Sequence, residues 1–251
     1  MSNKKWCVVV TTAPRKTPKL QTTVDCLRTA GWHDPHVFSE PDSFVSDVHT
    51  IHNKQRLGVW HNWLRAAKFA LASKADVIMT VQDDIWLHPE SKQFAERALW
   101  PSECGYLSLY TPAHYSVVQG VQKPWGVYPI NTKSVWGAMC LVWQPETLRA
   151  VINTEKAKNW VGLRKRLGET EYKRRRDNPE FIRNLDTVLG YIIKDLGKKI
   201  YYCNPSCAQH ISVDSSIGGR PAIGNRSALF LAGRNCPTPS EIPVDKEAVS
   251  G

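Results

Sequence analysis

Apolar residues along the chain occur either in short β-branched runs or in longer amphipathic stretches. The runs Trp6 to Thr12 and Asp76 to Val81 are short and rich in Val, Ile and Thr, which is typical of buried strands. The stretches Leu20 to Ala30 and Gly58 to Ser73 place apolar residues at helical spacing. A further short strand is predicted from His36 to Glu40. This alternation favours an α/β sheet over a helical bundle or a β-sandwich.

The most periodic helix is predicted from Asn184 to Gly197. Its apolar residues recur on one face, Asn184 is a suitable N-cap, and Gly197 ends the pattern. Asp186 lies in the first turn, where an acid ordinarily complements the helix dipole. Ile200 to Cys203 then predicts another short strand.

The length of 251 residues and a hydrophobic content of 42% suit one large domain, which we place at residues 1–232. Residues 233–251 are polar and rich in proline, so we expect a mobile tail there. No apolar run approaches a transmembrane length and the first residues show no signal-peptide core, so we expect a cytoplasmic protein. The seven scattered cysteines are expected to be reduced.

Most of the net charge of +10 lies between Lys156 and Arg176. That segment has nine basic residues against Glu169 and Glu171, a net +7. A solvated helix face or loop is one interpretation. The other is a surface that binds a polyanion, since clustered Lys and Arg attract phosphates.

The strand at Asp76 to Val81 ends in Gln82-Asp83-Asp84. Adjacent carboxylates repel each other unless a positive charge lies beside them, and a divalent cation is one such charge. The carboxyl ends of strands in an open α/β sheet form the ligand crevice, so a cation here would bridge a diphosphate. A solvent-exposed turn with Asp84 as a cap is the alternative, and it is the more common one for an isolated Asp-Asp pair.

His210 lies in the segment NPSCAQHISVDSSIGGR, between a predicted strand and a loop of small residues. A single His at a strand end is usually structural. Here the following amides and Arg220 suit a site for a metal and a phosphate.

This segment resembles the Pro-Ser, Gln-His, Ser-Ser and Gly stretch near the end of the branching N-acetylglucosaminyltransferases and related bacterial and viral transferases. Gln82-Asp83-Asp84 resembles their variant of the Asp-x-Asp motif, and Asn62-Trp63 resembles an Asn-Trp pattern near their nucleotide pocket. The resemblance covers roughly residues 6 to 220. It implies a GT-A (Rossmann-like) α/β fold, with a mixed central sheet flanked by helices.

The resemblance also implies a metal-dependent inverting glycosyltransferase that uses a UDP-sugar. Asp84 and His210 would hold Mn²⁺ or Mg²⁺, with Mn²⁺ favoured because imidazole is a soft ligand for Mg²⁺. Asp186 would be the general base that deprotonates the acceptor hydroxyl. Gln82 stands where the first acid of the motif is expected, so the metal is assigned mainly to Asp84, and Asp83 would contact the sugar or support the residues that contact the ligands. The nucleotide-sugar residues implied are Thr11, Thr12, Ala13, Arg15, Glu40, Asn62, Asp83, Ser215, Ser216 and Arg220.

The acceptor side is predicted at Asn131 to Trp143, with Trp136 and Gly137 against a flat ring, although core packing is the alternative for Trp136. The basic segment suggests a polyanionic acceptor, bound by Arg164, Lys165, Arg174, Arg175 and Arg176. Double-stranded DNA with hydroxymethylated pyrimidines, as in some bacteriophages, fits this charge and would place the protein in the host cytoplasm. A lipid-linked or surface polysaccharide acceptor is an alternative. An inactive GT-A-like module that binds nucleic acid is another, since a fold does not determine function.

Overall fold

A computed structural model describes residues 4–44, 46–97, 101–112, 115, 126–130, 135, 137–159, 185–204 and 206–211. Within these ranges the strands are β1 (Trp6–Thr12), β2 (His36–Ser39), β3 (Thr50–His52), β4 (Val77–Gln82), β5 (Ile85–Leu87), β6 (Cys104–Ser108), β7 (Gly126–Ile130), β8 (Cys140–Trp143), β9 (Lys199–Asn204) and β10 (Ala208–His210). The helices are α1 (Leu20–Thr29), α2 (Gly58–Ala72), α3 (Ser91–Arg97), α4 (Pro145–Asn153), α5 (Glu155–Lys158) and α6 (Leu185–Asp195).

Eight of these strands form one mixed sheet in the order β3-β2-β1-β4-β8-β6-β9-β7. The first four positions are parallel, β8 is antiparallel to both β4 and β6, and β9 is parallel to β6. Strand β7 pairs antiparallel with β9 at the edge, and β10 and β5 form a separate antiparallel pair. The predicted mixed α/β sheet is thus confirmed.

The two faces of the sheet carry separate apolar layers, which follow from the alternation of side chains along β1. Val9 faces a layer that contains Trp63 of α2 and Val188 of α6. Val8 and Val10 face the opposite layer with α1 and α3. Helices therefore cover both faces, as expected for strands whose side chains are buried on both sides.

The sequence patterns located most of the parallel strands and the long helices. β1 has the predicted bounds, and the bounds of β2, β4, β9, α1, α2 and α6 lie within two residues of the predicted ones. One expectation needs correction: the end of the predicted acceptor segment, Cys140–Trp143, is a buried strand in the centre of the sheet. Its four side chains pack into the core, because an apolar run of this kind suits a central strand.

The remaining predictions concern the cysteines, membrane-spanning helices, the domain boundary and the ends of elements. The six described cysteines, Cys7, Cys26, Cys104, Cys140, Cys203 and Cys207, are free thiols, and Cys236 lies outside the described residues. None of the helices in the described ranges is long and apolar enough to cross a membrane. The domain boundary at residue 232, the predicted tail and the N-cap Asn184 lie outside the described residues and stay predictions.

Helix α6 approaches β6 closely at Gly105. A Cβ atom at this position would lie 2.7 Å from Cγ2 and 2.8 Å from Cδ1 of Ile193, and 3.1 Å from the carbonyl oxygen of Lys199. Ile193 is fully buried, so its side chain has little room to move away. This approach fixes the distance between α6 and the sheet.

We therefore expect Gly105→Ala to lower the free energy of unfolding by about 1–3 kcal/mol, the usual cost of overpacking a filled core. Gly126→Ala is the matched control, because the nearest atom to its added Cβ, the hydroxyl of Tyr128, is 3.5 Å away. Urea unfolding of the three proteins measures the difference. Equal midpoints for the two variants would contradict the close approach of α6.

Candidate active site

Asp83 and Asp84 directly follow β4 at the carboxyl edge of the parallel strands. Both residues are buried, with exposed fractions of 3% and 2%. The alternative of a solvent-exposed turn is therefore wrong. Two adjacent buried carboxylates need a positive partner, because burial without one strongly disfavours the ionised form.

Arg15 provides that partner. Its loop follows β1, and the pairing of Thr11 with Gln82 brings the two strand ends side by side. Nε and Nη2 of Arg15 donate to Oδ1 of Asp83 at 3.1 and 2.7 Å, and Nη1 lies 2.9 Å from Oδ2 of Asp84. The hydroxyl of Thr12 donates to the other oxygen of Asp83. Burial raises the pKa of Asp83, and the guanidinium of Arg15 acts in the opposite direction.

His210 meets Asp84 because β10 pairs with β5, the strand directly after the acids. His210 lies opposite Ile85, and the amide of Ile211 donates to the carbonyl of Asp84 at 2.9 Å. Nε2 of His210 is 2.7 Å from Oδ2 of Asp84. Asp84 and His210, which only the family resemblance grouped together as metal ligands, are thus in direct contact.

Thr23 of α1 holds the same turn through two hydrogen bonds with the backbone of Ile85. The sequence patterns did not identify this residue. Its hydroxyl donates to the carbonyl of Ile85 at 2.9 Å and accepts the amide of Ile85 at 3.1 Å. Thr23 is fully buried. No sequence signal marks it, since a single Thr in an amphipathic helix is common.

The donor atoms at this point suit a hard or borderline divalent cation. Oδ1 of Asp84 is buried and has no hydrogen-bond partner among the described residues. A carboxylate and an imidazole held together match the ligands that Mn²⁺ accepts. Within the described ranges no group of three or more His, Cys, Asp or Glu side chains could hold a metal, so that part of the chain supplies two ligands here. A diphosphate and water would have to complete the set.

Asp186 lies in the first turn of α6, at the same edge of the sheet. Its Oδ2 accepts the amide of Gly137 at 2.8 Å, and its Oδ1 accepts the amide of Thr187 at 2.8 Å. Desolvation raises the pKa of Asp186 above its ordinary value, and these two amides oppose the rise. The segment before β8 and the start of α6 therefore meet at this carboxylate.

Tyr110 lies between the two acidic positions and likewise carries no signal in the sequence. Gly137 has a φ of +78°, and a Cβ there would be 2.8 Å from the ring of Tyr110. Burial raises the pKa of Tyr110 to about 12, with the charge of Asp84 adding to the effect. Tyr110 also forms a bridge with Ala208 of β10. It thereby connects the Asp84 side of the edge with the Asp186 side.

Glu40 and Asn62, two residues predicted to bind the nucleotide, make hydrogen bonds within the protein at this edge of the sheet. The carboxylate of Glu40 accepts the amides of Leu57 and Gly58 at the start of α2, with the closest contact at 2.7 Å. The amide of Asn62 donates to the carbonyls of Thr12 and Phe38 at 3.4 and 3.0 Å. Both residues are buried and brace the ends of β1 and β2.

The remaining predicted residues divide into those near this framework and those outside the described ranges. Thr11 and Ala13 lie at the end of β1 and just after it, and the hydroxyl of Thr11 donates to the carbonyl of Val81 at 3.4 Å. Nucleotide contacts of these residues and of Arg15 stay predictions. The residues outside the described ranges are Trp136, Arg164, Lys165, Arg174, Arg175, Arg176, Ser215, Ser216 and Arg220.

Two basic residues of the segment from Lys156 to Arg176 lie within the described residues. Lys156 pairs with Asp195 at 2.8 Å, and Lys158 pairs with Glu155 at 3.1 Å. Part of the positive charge at the start of this segment is thus balanced by neighbouring acids.

Comparisons with solved structures identify the fold. The structure of GalNAc-T7 with UDP, GalNAc and Mn²⁺ superposes with a TM-score of 0.52 and 11% identity, over 88% of this chain and 45% of that chain. HddC from Yersinia pseudotuberculosis gives 0.34 and 10%, over 57% of this chain and 77% of that one. Glucosyl-3-phosphoglycerate synthase from Mycobacterium tuberculosis, in complex with Mn²⁺, UDP and phosphoglyceric acid, gives 0.33 and 12%, over 58% and 57%.

Only the first of these likenesses is strong enough to carry an argument, and at 11% identity it concerns the fold alone. The chain spans less than half the length of the GalNAc-T7 chain. No family model matches the sequence, and no curated protein matches it. The large mixed sheet flanked by helices is the fold of the GT-A glycosyltransferases.

Proposed function

We propose that this chain is a metal-dependent, inverting glycosyltransferase that moves a sugar from a UDP-sugar to an acceptor hydroxyl. The observation that carries the proposal is the contact of Asp84 with His210 at 2.7 Å, at the carboxyl edge of a GT-A sheet. Ligands bind at this edge in open α/β folds. Asp186 lies at the same edge, where a general base would have to lie to reach the acceptor hydroxyl.

Two further observations support a nucleotide-sugar donor. The structure of GalNAc-T7, which shares the fold, contains UDP, GalNAc and Mn²⁺. The order of Asn62-Trp63, Gln82-Asp83-Asp84 and the segment around His210 resembles that of the branching N-acetylglucosaminyltransferases.

Asp84 and His210 are the residues that would hold the cation, with Mn²⁺ favoured over Mg²⁺. When bound there, a divalent cation offsets the charge of the diphosphate as it becomes the leaving group. Asp83 would contact the sugar or act indirectly by holding Arg15 and Thr12, which both donate to its carboxylate. Thr11, Thr12, Ala13 and Arg15 would line the nucleotide side. Ser215, Ser216 and Arg220 would complete the donor site.

Asp186 would remove the proton of the acceptor hydroxyl as that oxygen attacks the anomeric carbon. Its raised pKa makes it a stronger base than an ordinary carboxylate, while the amides of Gly137 and Thr187 hold it in place. A single in-line displacement of this kind inverts the anomeric configuration. Gly137 and Trp136 would face the acceptor.

We expect Asp84→Ala and His210→Ala each to abolish the Mn²⁺-dependent binding of UDP, because each removes one of two ligands supplied by the chain. Thermal unfolding with UDP, with and without Mn²⁺, measures this, since a ligand that binds only the folded state raises its apparent stability. Asp25→Ala, an exposed acid on α1, is the control. Wild-type stabilisation by UDP and Mn²⁺ in either site variant would refute the metal assignment.

Asp186→Asn should lower turnover by roughly a hundredfold or more, the scale of general-base catalysis, with little change in donor affinity. A base acts only when deprotonated, so wild-type kcat/KM should fall as the pH drops through the raised pKa of Asp186. That acid limb should lie above the ordinary range for Asp and disappear in the variant. Steady-state rates across pH measure both effects. An unchanged rate, or a product that retains the anomeric configuration, would rule out this role.

For the acceptor, we propose double-stranded DNA that carries hydroxymethylated pyrimidines. What supports this is the net +7 between Lys156 and Arg176. Clustered Lys and Arg bind phosphates with the release of counterions. Arg164, Lys165, Arg174, Arg175 and Arg176 would bind these phosphates.

Replacing Arg174, Arg175 and Arg176 by Ala should weaken DNA binding and flatten its salt dependence, by about 0.9 in log-log slope for each phosphate that is no longer neutralised. Hydrolysis of the sugar nucleotide without acceptor should not change. The control replaces three exposed basic residues elsewhere, Lys54, Lys68 and Arg149, with the same change in net charge. Binding at a series of salt concentrations measures the slopes.

Transfer of labelled sugar to duplexes with and without 5-hydroxymethylcytosine or 5-hydroxymethyluracil tests the acceptor itself. Labelling of a lipid-linked or polysaccharide acceptor, but of neither duplex, would replace the DNA proposal with that alternative. Salt-dependent DNA binding without any binding of UDP or Mn²⁺ would instead identify a nucleic-acid-binding module.

A further inference from the structure

Arg15 is the positive partner of both buried acids at the candidate active site. It makes two contacts with Oδ1 of Asp83 and one with Oδ2 of Asp84, all between 2.7 and 3.1 Å. Its own side chain is only 7% exposed. The guanidinium is therefore a fixed charge inside the site, little screened by solvent.

The position of Arg15 leaves one oxygen of Asp84 for another ligand. Arg15 and His210 both approach Oδ2 of Asp84, at 2.9 and 2.7 Å. Oδ1 is buried and makes no hydrogen bond within the described part of the chain. Asp84 would therefore be able to hold a cation through Oδ1 while Arg15 keeps its contact with Oδ2.

Asp83, Asp84 and Arg15 form a cluster whose net charge changes sign when a divalent cation binds. With Asp83 and Asp84 ionised and Arg15 present, the cluster carries one net negative charge. Adding a divalent cation turns this into one net positive charge, which attracts a diphosphate. Without Arg15 the empty cluster would carry two negative charges, and the loaded cluster would be neutral.

We infer that Arg15 sets the order in which the two ligands of the site bind: it weakens binding of the cation alone and strengthens binding of a diphosphate once the cation is present. This inference rests on the proposed function and adds a rule about the order of binding. Cation and diphosphate attract each other directly and so bind cooperatively, and by linkage each raises the affinity of the other by the same factor. Little cation is held at this site when the diphosphate is absent.

Variants at Arg15 and Asp83 change the cluster charge in opposite directions and so make opposite predictions. Arg15→Gln should bind Mn²⁺ alone about tenfold more tightly, a factor that corresponds to about 1.4 kcal/mol, and should bind UDP more weakly at saturating Mn²⁺. Asp83→Asn should do the reverse in both measurements. Arg15→Gln with Asp83→Asn restores the wild-type charge and should restore both affinities. The double variant also removes one of the two carboxylates that Arg15 pairs with, and Asp84 keeps its contact with His210.

The experiment uses the full chain, with Mn²⁺ and UDP as the probes. Free Mn²⁺ is measured by electron paramagnetic resonance with and without UDP, and UDP binding is measured by calorimetry at saturating Mn²⁺. UDP is used instead of a UDP-sugar so that a contact between Asp83 and the sugar does not enter. Arg15→Lys, which keeps the charge, should keep both affinities.

The outcomes separate this inference from the proposed function. If the wild type binds Mn²⁺ and UDP, but Arg15→Gln binds Mn²⁺ alone no more tightly, the inference is overturned and the proposed function stands. Failure of the double variant to recover the affinities would also overturn this electrostatic role of Arg15. If the wild type binds neither probe, the proposed function fails and the inference fails with it.

Discussion

Two neighbouring carboxylates, Asp83 and Asp84, are buried at the end of a strand and share one guanidinium. Removing an ion from water costs several kcal/mol, and breaking a buried ion pair by deleting one partner typically costs about 3–5 kcal/mol. Arg15 therefore holds the loop after β1 against the end of β4, where its guanidinium reaches both acids. The site is organised around this one contact.

Contacts made by α1, β10 and α6 position the other residues of the site around these acids. Thr23 of α1 fixes the backbone at Ile85, and β10 adds His210 to the same turn. On the far side, Ile193 near the end of α6 packs closely against Gly105, and Asp186 at the start of this helix accepts the amides of Gly137 and Thr187. Catalysis by positioning and a general base requires such fixed separations, since small displacements of the reacting groups reduce the rate sharply.

The sequence predicted the elements whose patterns are local. β1 and β4 are β-branched apolar runs, and α6 has a long apolar face, so each stands out without knowledge of the rest of the chain. β3, β5 and β10 are three residues long, too short for a periodic signal. The insertion of β8 between β4 and β6 is a property of the whole sheet, and no run of residues encodes it.

The candidate site was likewise predictable from the sequence only where its features are local. The need for a positive charge beside Asp83 and Asp84 was predicted from the sequence, but that role was assigned to a cation, and Arg15 was assigned to the nucleotide. Only tertiary structure brings Arg15 to the acids, because the pairing of β1 with β4 joins segments about 70 positions apart. Tyr110 and Thr23 had no signal at all. The acceptor residues and the cytoplasmic location stay predictions.

The central claim is that this edge of the sheet activates a nucleotide sugar. Incubating the protein with a panel of nucleotide sugars and Mn²⁺, and measuring the nucleoside diphosphate released, tests it most directly. The account predicts release from at least one UDP-sugar, loss of that release on chelation of the metal, and recovery when Mn²⁺ is restored. No release from any nucleotide sugar, or release that is indifferent to the metal, would contradict it.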